Sequence, residues 1–272
     1  MALTDFLAAA AEEGLLPFGA ELEAARRFSL DAHEVEGAAL GAGLLPERYA
    51  RNSGSIGLAG QLALHESRVA VIGCGGLGGF ILEGLGRLGV GNIVAVDPDR
   101  FEASNLNRQL LATVENLGEP KAEAAVRRLR AVNPAVRCRG LVERLDASNA
   151  DRLLAGCQAA ADALDSIADR LTLAAAASRL GVALVHGAAA GRYGQAATQL
   201  PGEDGVARIY AGAEAKRGIE VELGTLVFAP AVVAGLQVAE LCHLLLGEEP
   251  GLRGRMIALD LGLIETSVFK LH

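Results

Sequence analysis

The sequence predicts an α/β fold: a doubly wound, mostly parallel sheet with a helical N-terminal extension and a C-terminal antiparallel hairpin. Apolar, β-branched runs such as "RVAVIG" and "NIVAVD" are typical of buried parallel strands. A segment with helical spacing follows each run, and the turn after the first run is rich in glycine. With 272 residues, of which 51% are hydrophobic, the chain can bury a core of that size.

The first 47 residues are predicted to form a separate helical segment. They show amphipathic helical spacing with breaks at "GLLPFG" and "GAGLLPE", and Ser29 is the expected N-cap of the helix that follows it. We therefore divide the chain into a helical extension, residues 1–47, and one α/β domain, residues 48–272.

The α/β domain alternates strands and helices from Ser67 onwards. Parallel strands are expected at "RVAVIG", "NIVAVD", "VRCRGLVERL", "AAADALD" and "VALVHGAAA", with a helix between successive strands. A further strand is expected from Gln195 to Gln199, and a mobile surface loop over residues 202–222. The apolar helix "APAVVAGLQVAELCHLLLG" and a hairpin at "RMIALDLGLIETSVFKL" complete the prediction.

Composition and charge argue against several classes of function. The net charge is −8 and no basic stripe is visible, which argues against nucleic acid as the main partner. No signal peptide is visible, and the apolar runs are shorter than the roughly 20 residues of a membrane helix, so we expect a soluble cytoplasmic protein with no membrane partner. None of the four cysteines belongs to a C-x-x-C pair, so we expect reduced thiols and no zinc site. Cys74 is expected to fill space rather than act as a nucleophile.

The glycine-rich turn predicts a nucleotide site. Gly73, Gly75, Gly76 and Gly78 fit the pattern G-x-G-x-x-G between a strand and a helix, as in Rossmann-like folds. Such a turn lets a phosphate approach the backbone and the positive N-terminal end of the helix. Asp97 ends the next strand, 19 residues after Gly78, where a carboxylate can bind ribose hydroxyls.

The polar residues after this strand predict a ligand with more negative charge than a redox dinucleotide. Arg108 carries a planar set of donors that suits phosphate oxygens. Lys121 begins the next helix, where a cation opposes the helix dipole unless an anion offsets it. Asp165 is expected to end the strand "AAADALD" at the same edge of the sheet, and a carboxylate beside a polyphosphate normally requires Mg²⁺. Together these residues predict ATP with Mg²⁺; singly, Arg108 could form a surface ion pair, Lys121 could be solvated and Asp165 could cap a helix.

Taken in order, the motifs resemble the ubiquitin-activating-enzyme superfamily, and within it the MoeB/ThiF/HesA group of sulfur-carrier adenylyltransferases. The resemblance is carried by "VIGCGGLGGFILEGLGRLGVGNIVAVDPDRFEASNLNRQLL", "GEPKAEAA", "DALDS" and "VHGAAAGRYGQ", and it is strongest over residues 48–200. It implies that ATP is bound by Gly73, Gly75, Gly76, Gly78, Asp97, Asp99, Ser104, Asn105, Arg108, Gln109, Lys121, Asp165 and Ser166. It also implies catalytic roles for Arg51, Arg108, Lys121 and Asp165, with Asp165 holding Mg²⁺ through ATP.

The resemblance further implies a homodimer. The segment "RYARN", residues 48–52, resembles the family's R-Y-x-R-Q segment, whose second arginine reaches the ATP of the neighbouring subunit. Arg51 takes that place here, and Asn52 replaces the usual glutamine.

The implied reaction is ATP-dependent adenylylation of the C-terminal glycine carboxylate of a ubiquitin-like sulfur carrier, of the ThiS or MoaD type, with release of pyrophosphate. Residues 200–228 contain no cysteine, so we expect no covalent enzyme intermediate. The carrier's pathway stays open among thiamine, molybdenum or tungsten cofactor, and cysteine synthesis.

Three alternatives remain open at this point. A tRNA threonylcarbamoyladenosine dehydratase would use the same fold and ATP, although the negative net charge argues against RNA. An NAD-dependent oxidoreductase would explain the glycine turn and Asp97 but would leave Arg108, Lys121 and Asp165 without a role. An inactive binding protein would need none of these charged residues.

Overall fold

The N-terminal extension is a small helical unit with its own apolar core. The structure, a computed structural model, describes residues 1–212 and 220–271. The unit comprises α1 (Leu3–Ala10), β1 (Leu15–Leu16), α2 (Phe18–Phe28), α3 (Ala32–Gly41) and β2 (Leu45–Pro46), of which β1 and β2 pair in parallel. Leu7, Leu16 and Val35 are buried together at its centre, which agrees with the predicted helical extension.

Ser29 ends α2 and does not begin α3. Its backbone is left-handed, with φ 56°, and its N–H donates to the carbonyl of Ala25. The N-cap of α3 is Asp31, whose carboxylate accepts from the N–H of Glu34 at 2.8 Å while the Glu34 carboxylate accepts from the N–H of Asp31 at 2.8 Å. The prediction for Ser29 is therefore wrong, because this reciprocal capping box, three residues apart, fixes the start of α3.

The rest of the described chain forms one sheet covered by helices. A 3₁₀ turn, Glu47–Tyr49, leads from the extension into the sheet. The strands are β3 (Arg68–Ile72), β4 (Asn92–Val96), β5 (Arg137–Leu141), β6 (Ala159–Asp162), β7 (Ala183–Ala190), β8 (Tyr193–Gln199), β9 (Arg255–Asp260) and β10 (Glu265–Lys270). The helices are α4 (Ser53–Glu66), α5 (Gly76–Leu88), α6 (Lys121–Val132), α7 (Ala150–Leu154), α8 (Ile167–Leu180), α9 (Gly205–Ile209), α10 (Glu220–Leu223) and α11 (Phe228–Leu245).

The strand order is β10-β9-β8-β7-β6-β3-β4-β5. The five strands from β7 to β5 run parallel, whereas β8, β9 and β10 are each antiparallel to the strand before them. The doubly wound, mostly parallel sheet with a C-terminal antiparallel hairpin is thus confirmed. The hairpin lies at one edge of the same sheet and extends it.

Both faces of the sheet are covered, as a parallel sheet requires. On β3, Val69 and Val71 pack on one face with α5 and α11, whereas Ala70 and Ile72 pack on the other with α7 and α8. Length and composition alone would allow α11 to cross a membrane. Its buried side chains, among them Val233, belong instead to the core under the sheet.

The segment after β8 differs from the prediction. A mobile loop is expected over residues 202–222, but α9 lies within it and α10 begins there; residues 213–219 lie outside the described part of the chain. β8 begins at Tyr193 rather than Gln195. β6 ends at Asp162, so Asp165 follows the strand by three residues and does not end it.

Candidate functional site

A cleft of ≈ 840 Å³ opens beyond the carboxyl ends of β3, β4 and β6. This is the edge at which open α/β sheets bind ligands. Ten of the residues expected to bind ATP line the cleft: Gly73, Gly75, Gly76, Asp97, Asp99, Arg108, Gln109, Lys121, Asp165 and Ser166. Gly78, Ser104, Asn105 and Arg51 do not line it.

The glycines of the turn have two different structural tasks. Gly73 has φ +99°, and a Cβ there would lie 2.4 Å from the carbonyl oxygen of Ala163. A Cβ on Gly78 would lie 1.8 Å from the carbonyl oxygen of Gly73. These two glycines therefore allow β3, the turn and α5 to pack closely. Gly76 lies at the first position of α5, and a Cβ there would meet nothing closer than Pro230, at 3.6 Å, so its open side faces the cleft.

Asp97 binds the glycine turn through one carboxylate oxygen and the segment after β4 through the other. Oδ2 accepts from the N–H of Cys74 at 2.7 Å, and Oδ1 accepts from the N–H of Asp99 at 2.8 Å. The pKa of Asp97 is raised, because the effect of burial outweighs the opposing effects of the Lys121 ammonium and the two N–H donors. Asp97 thus ties the end of β4 to the turn after β3, and a ribose hydroxyl would be a further donor to a carboxylate that is already fixed.

Lys121 is a buried cation at the N-terminus of α6. It is the first residue of that helix, as the sequence predicts, and its Nζ lies 3.1 Å from Oδ2 of the exposed Asp99. A buried ammonium at a helix N-terminus is disfavoured by desolvation and by the helix dipole. The exposed carboxylate of Asp99 and the buried carboxylate of Asp97 offset part of that cost, and the position suits a phosphate group in the cleft.

The segment before α6 is held by its own side chains. Arg108 donates from one nitrogen to the carbonyl of Ser104 at 2.9 Å and to Oδ1 of Asn107 at 2.8 Å. Asn105 is buried, and its Oδ1 accepts from the N–H of Glu102 at 3.0 Å. Ser104 and Asn105 therefore shape the loop that carries Arg108, and of these only Arg108 lines the cleft.

Gln109 supplies an unpaired buried acceptor beside the turn. Its side chain lines the cleft, and within the described residues its Oε1 has no hydrogen-bond partner. A buried carbonyl oxygen without a donor costs about 1–3 kcal/mol. A ligand with an N–H or O–H group in the cleft would remove this cost, which fits a nucleoside.

Asp165 lies on the loop between β6 and α8 and is exposed to the cleft. Ser166 is the N-cap of α8, and its Oγ accepts from the N–H of Asp169 at 3.3 Å. The buried Arg170 donates to the carbonyl of Leu164 at 2.6 and 3.1 Å, which fixes the residue just before Asp165. The carboxylate is thus presented by a braced loop and is open to solvent, as a magnesium ligand needs to be.

Several residues that line the cleft were not predicted from the sequence. Arg144 lines the cleft and pairs with Asp169 at 2.8 Å, and Arg170 and Thr225 also line it. Arg170 carried a usable signal, since it lies in the first two turns of the helix that Ser166 caps. Arg144 follows β5, which is only partly buried. The sequence around Arg144 showed no motif that would have indicated a ligand-binding role.

The assembled cleft has the chemistry of a polyphosphate site. Four cations line the cleft, namely Arg108, Lys121, Arg144 and Arg170, and the N-terminus of α5 adds backbone donors. Of the carboxylates that line it, Asp97, Asp99, Glu143 and Asp169 already bind protein donors, whereas Asp165 is exposed to the cleft. Across residues 1–212 and 220–271, no group of three or more His, Cys, Asp or Glu side chains could hold a metal ion by itself. A divalent ion here would need Asp165 together with phosphate oxygens and water, which is the usual coordination of Mg²⁺ with a nucleotide.

Arg51 lies outside this cleft. It is exposed in the turn that joins the 3₁₀ turn Glu47–Tyr49 to α4. Within one chain it is therefore not brought together with the other predicted catalytic residues.

Comparison with known proteins gives a consistent set of relatives. The family model described as the ThiF family matches residues 49–272. The chain is 37% identical over 220 residues to the SAMP-activating enzyme E1 of Haloferax volcanii, which covers 79% of this chain and 81% of that protein. It is 38% identical over 213 residues to the sulfur carrier protein adenylyltransferase of Thermus thermophilus. That alignment covers 75% of this chain and 79% of that protein. The crystal structure of Escherichia coli MccB with ATP matches with a TM-score of 0.71 at 20% identity, over 83% of this chain and 71% of that one, and this likeness shows the fold alone.

Proposed function

This chain belongs to the ThiF family and is an adenylyltransferase, and we propose that it adenylylates the C-terminal glycine carboxylate of a small ubiquitin-like sulfur carrier with ATP. The observation that carries the proposal is the meeting of Arg108, Lys121 and Asp165 with the glycine turn in one cleft. A redox dinucleotide needs the turn but gives these three charged side chains no role.

The proposed reaction needs no nucleophile from the enzyme. A carboxylate oxygen of the carrier attacks the α-phosphorus of ATP, a new P–O bond forms, and the bond to the β-phosphate oxygen breaks with its electron pair leaving on pyrophosphate. Burial raises the pKa of the Cys74 thiol well above its usual value, so this cysteine stays protonated inside the turn. Catalysis then consists of positioning and of charge stabilisation.

Each cation has a task in this scheme. The backbone N–H groups at the start of α5 bind phosphate oxygens beside Gly76. Lys121 exchanges its contact with Asp99 for the phosphates, and Arg108 stabilises the negative charge that moves onto pyrophosphate. Asp165 would hold Mg²⁺, which supplies further charge neutralisation at the phosphates when bound.

The assembly that we propose is a cytoplasmic homodimer. Arg51 is exposed and lies outside its own cleft, which suits a side chain that completes the ATP site of a second copy. The carrier belongs to the ThiS or MoaD type, and its flexible glycine tail would enter the cleft between Asp165 and Lys121.

Pyrophosphate exchange tests the proposal. Labelled pyrophosphate should enter ATP only when a ubiquitin-like carrier with a free Gly-Gly end is present. Lys121→Ala and Asp165→Ala should each abolish the exchange while the melting curve stays unchanged. Arg130→Ala, an exposed position on the same helix as Lys121, is the matched control and should keep full exchange.

The alternatives predict different results in the same assay. Exchange driven by modified tRNA, and not by the carrier, would identify a dehydratase. Binding of NADH without binding of ATP would identify an oxidoreductase. Full exchange in both Lys121→Ala and Asp165→Ala would refute the roles given to these residues.

A further inference from the structure

The short segment that carries Arg51 is anchored on both sides of that residue. Tyr49, two residues earlier, is fully buried. Asn52, one residue later, donates from Nδ2 to Oε1 of Gln61 at 3.2 Å, and Gln61 donates from Nε2 to the carbonyl of Leu88 at 2.8 Å. The backbone of Arg51 is thus held while its side chain is exposed.

A buried carboxylate, Glu36 on α3, contacts two residues of the segment before Arg51, Arg48 and Tyr49. Its side chain has 0% exposure. It accepts from the Tyr49 hydroxyl, at 3.1 and 3.2 Å from its two oxygens, and from Nδ1 of His65 at 3.0 Å. It also accepts from one arm of the Arg48 guanidinium, whose other arm donates to Glu21 on α2 at 2.6 Å.

The network continues into the α/β domain. The Tyr49 oxygen accepts from Nδ2 of Asn133 at 2.7 Å, and Asn133 also donates to the carbonyl of Gly86 on α5 at 3.0 Å. A Cβ on Gly89 would lie 2.4 Å from the Tyr49 oxygen, so the ring is also held by the end of α5. One connected set of polar contacts therefore joins the N-terminal helices, the segment before Arg51 and the helix that begins at the glycine turn.

Stability alone does not explain this network. Removing a carboxylate and a guanidinium from water is costly, and well-packed apolar residues often stabilise such a position equally well. The benefit of a connected polar network is that it favours one geometry. Around Glu36 both carboxylate oxygens have donors, whereas in Glu21 only Oε2 has one within the described residues. The geometry fixed here is that of the turn beneath the exposed Arg51.

We propose that Glu36 is a positioning residue for adenylylation: through Arg48 and Tyr49 it holds Arg51 where its guanidinium can reach the ATP of a second subunit. The proposal rests on the function proposed above, in which Arg51 acts across the dimer. It assigns a task to residues 1–47, which supply both carboxylates that bind Arg48.

Mixed dimers of two differently tagged chains test this assignment. An acceptor chain carries Arg51→Ala and keeps Asp165; a donor chain carries Asp165→Ala and keeps Arg51. Each parent homodimer should be inactive, whereas the purified mixed dimer should regain pyrophosphate exchange at its single complete site. If no activity returns, Arg51 does not act across the dimer, and both that role and the task of Glu36 are refuted.

The effect of Glu36→Gln is then compared between the donor chain and the acceptor chain. This comparison separates a role in positioning Arg51 from a general effect on stability. Placed in the donor chain, the substitution puts an amide N–H₂ among donors and should lower the exchange rate at least about tenfold, since a small misplacement of a phosphate ligand can cost on the order of 10²-fold. Placed in the acceptor chain, it should leave the rate of the mixed dimer unchanged. Equal loss in both placements, or loss in neither, would overturn the proposal.

Two further variants protect the test from misfolding. Tyr49→Phe keeps the buried ring but removes the oxygen that bridges Glu36 and Asn133, and it should show the same asymmetry between donor and acceptor chains. Glu34→Gln makes the same change of charge on α3 at an exposed position, where glutamine still completes the capping box. It should leave the rate unchanged in either chain.

Discussion

Adding one methyl group at either of two glycines in the first turn of α5, Gly76 and Gly78, should have opposite consequences. In Gly78→Ala the new Cβ would lie 1.8 Å from the carbonyl oxygen and 2.7 Å from the carbonyl carbon of Gly73. Both atoms belong to the backbone, so they cannot rotate away as the end of a flexible side chain could. In Gly76→Ala the nearest atom is the Cβ of Pro230 at 3.6 Å, an ordinary contact.

The magnitudes follow from these distances. Overpacking a core usually costs about 1–3 kcal/mol, and an overlap with rigid backbone belongs above that range, so Gly78→Ala should lower the free energy of unfolding by more than about 3 kcal/mol. Gly76→Ala should leave it unchanged or raise it by up to about 1 kcal/mol, because alanine is the better helix former. The methyl group of Gly76→Ala would, however, occupy the space in which we place a phosphate.

Urea unfolding with and without Mg·ATP measures both effects. A ligand at about 100 times its Kd should stabilise the wild type by about 2.7 kcal/mol, and Gly76→Ala should lose most of that gain. Gly235→Ala, in the middle of α11 with nothing within 4 Å of its Cβ, is the control and should keep the gain. Full stabilisation of Gly76→Ala by ATP would refute phosphate binding at α5, and wild-type stability of Gly78→Ala would refute the packing argument.

Two further predictions concern buried groups outside the reacting atoms. Burial raises the pKa of Glu21 to about 7 against the attraction of Arg48; a raised carboxyl pKa adds stability that is complete below the unfolded value of 4.5 and lost as the pH rises towards 7. The unfolding free energy of the wild type minus that of Glu21→Gln should therefore fall between about pH 5 and about pH 8, by at most about 3 kcal/mol, and a rise would contradict this reading. Iodoacetamide at about pH 8 should leave Cys74 unmodified and exchange activity intact, because a buried thiol with a raised pKa yields little thiolate; mass spectrometry of the peptide that contains Cys74 detects the contrary result.

Part of this structure could be predicted because its signals are local. Apolar runs identify β3 and β4, the glycine turn identifies the start of α5, and Pro120 before Lys121 identifies the start of α6. The ends of parallel strands meet at one edge of a sheet, so the proximity of Asp97 and Asp165, which follow β4 and β6, is expected from the fold class.

Other features depend on contacts that the sequence does not show. β6 is "AAAD", a run with weak strand propensity that is ordered by its neighbours on both sides. It ends at Asp162, whose carboxylate accepts from Nδ1 of the buried His186 at 2.7 Å. This contact joins residues that are 24 apart in sequence and gives no local signal, and the prediction placed the end of the strand at Asp165.

The N-terminal network was equally hidden. Arg48 meets Glu21 across 27 residues, and Tyr49 meets Asn133 across 84. Amphipathic spacing predicts the helices that carry such groups, but not which buried charges face each other. Ser29 and Asp31 show the same limit at short range, since either residue can serve as a cap and only the pairing with Glu34 decides between them.

A crystal structure with Mg²⁺ and a non-hydrolysable ATP analogue would test most directly whether this cleft holds a triphosphate. We expect the phosphates between the N-terminus of α5, Arg108 and Lys121, the metal ion on Asp165, and Arg51 of a second copy nearby. A nucleotide bound elsewhere, or phosphates that leave Arg108, Lys121 and Asp165 without contact, would contradict the account.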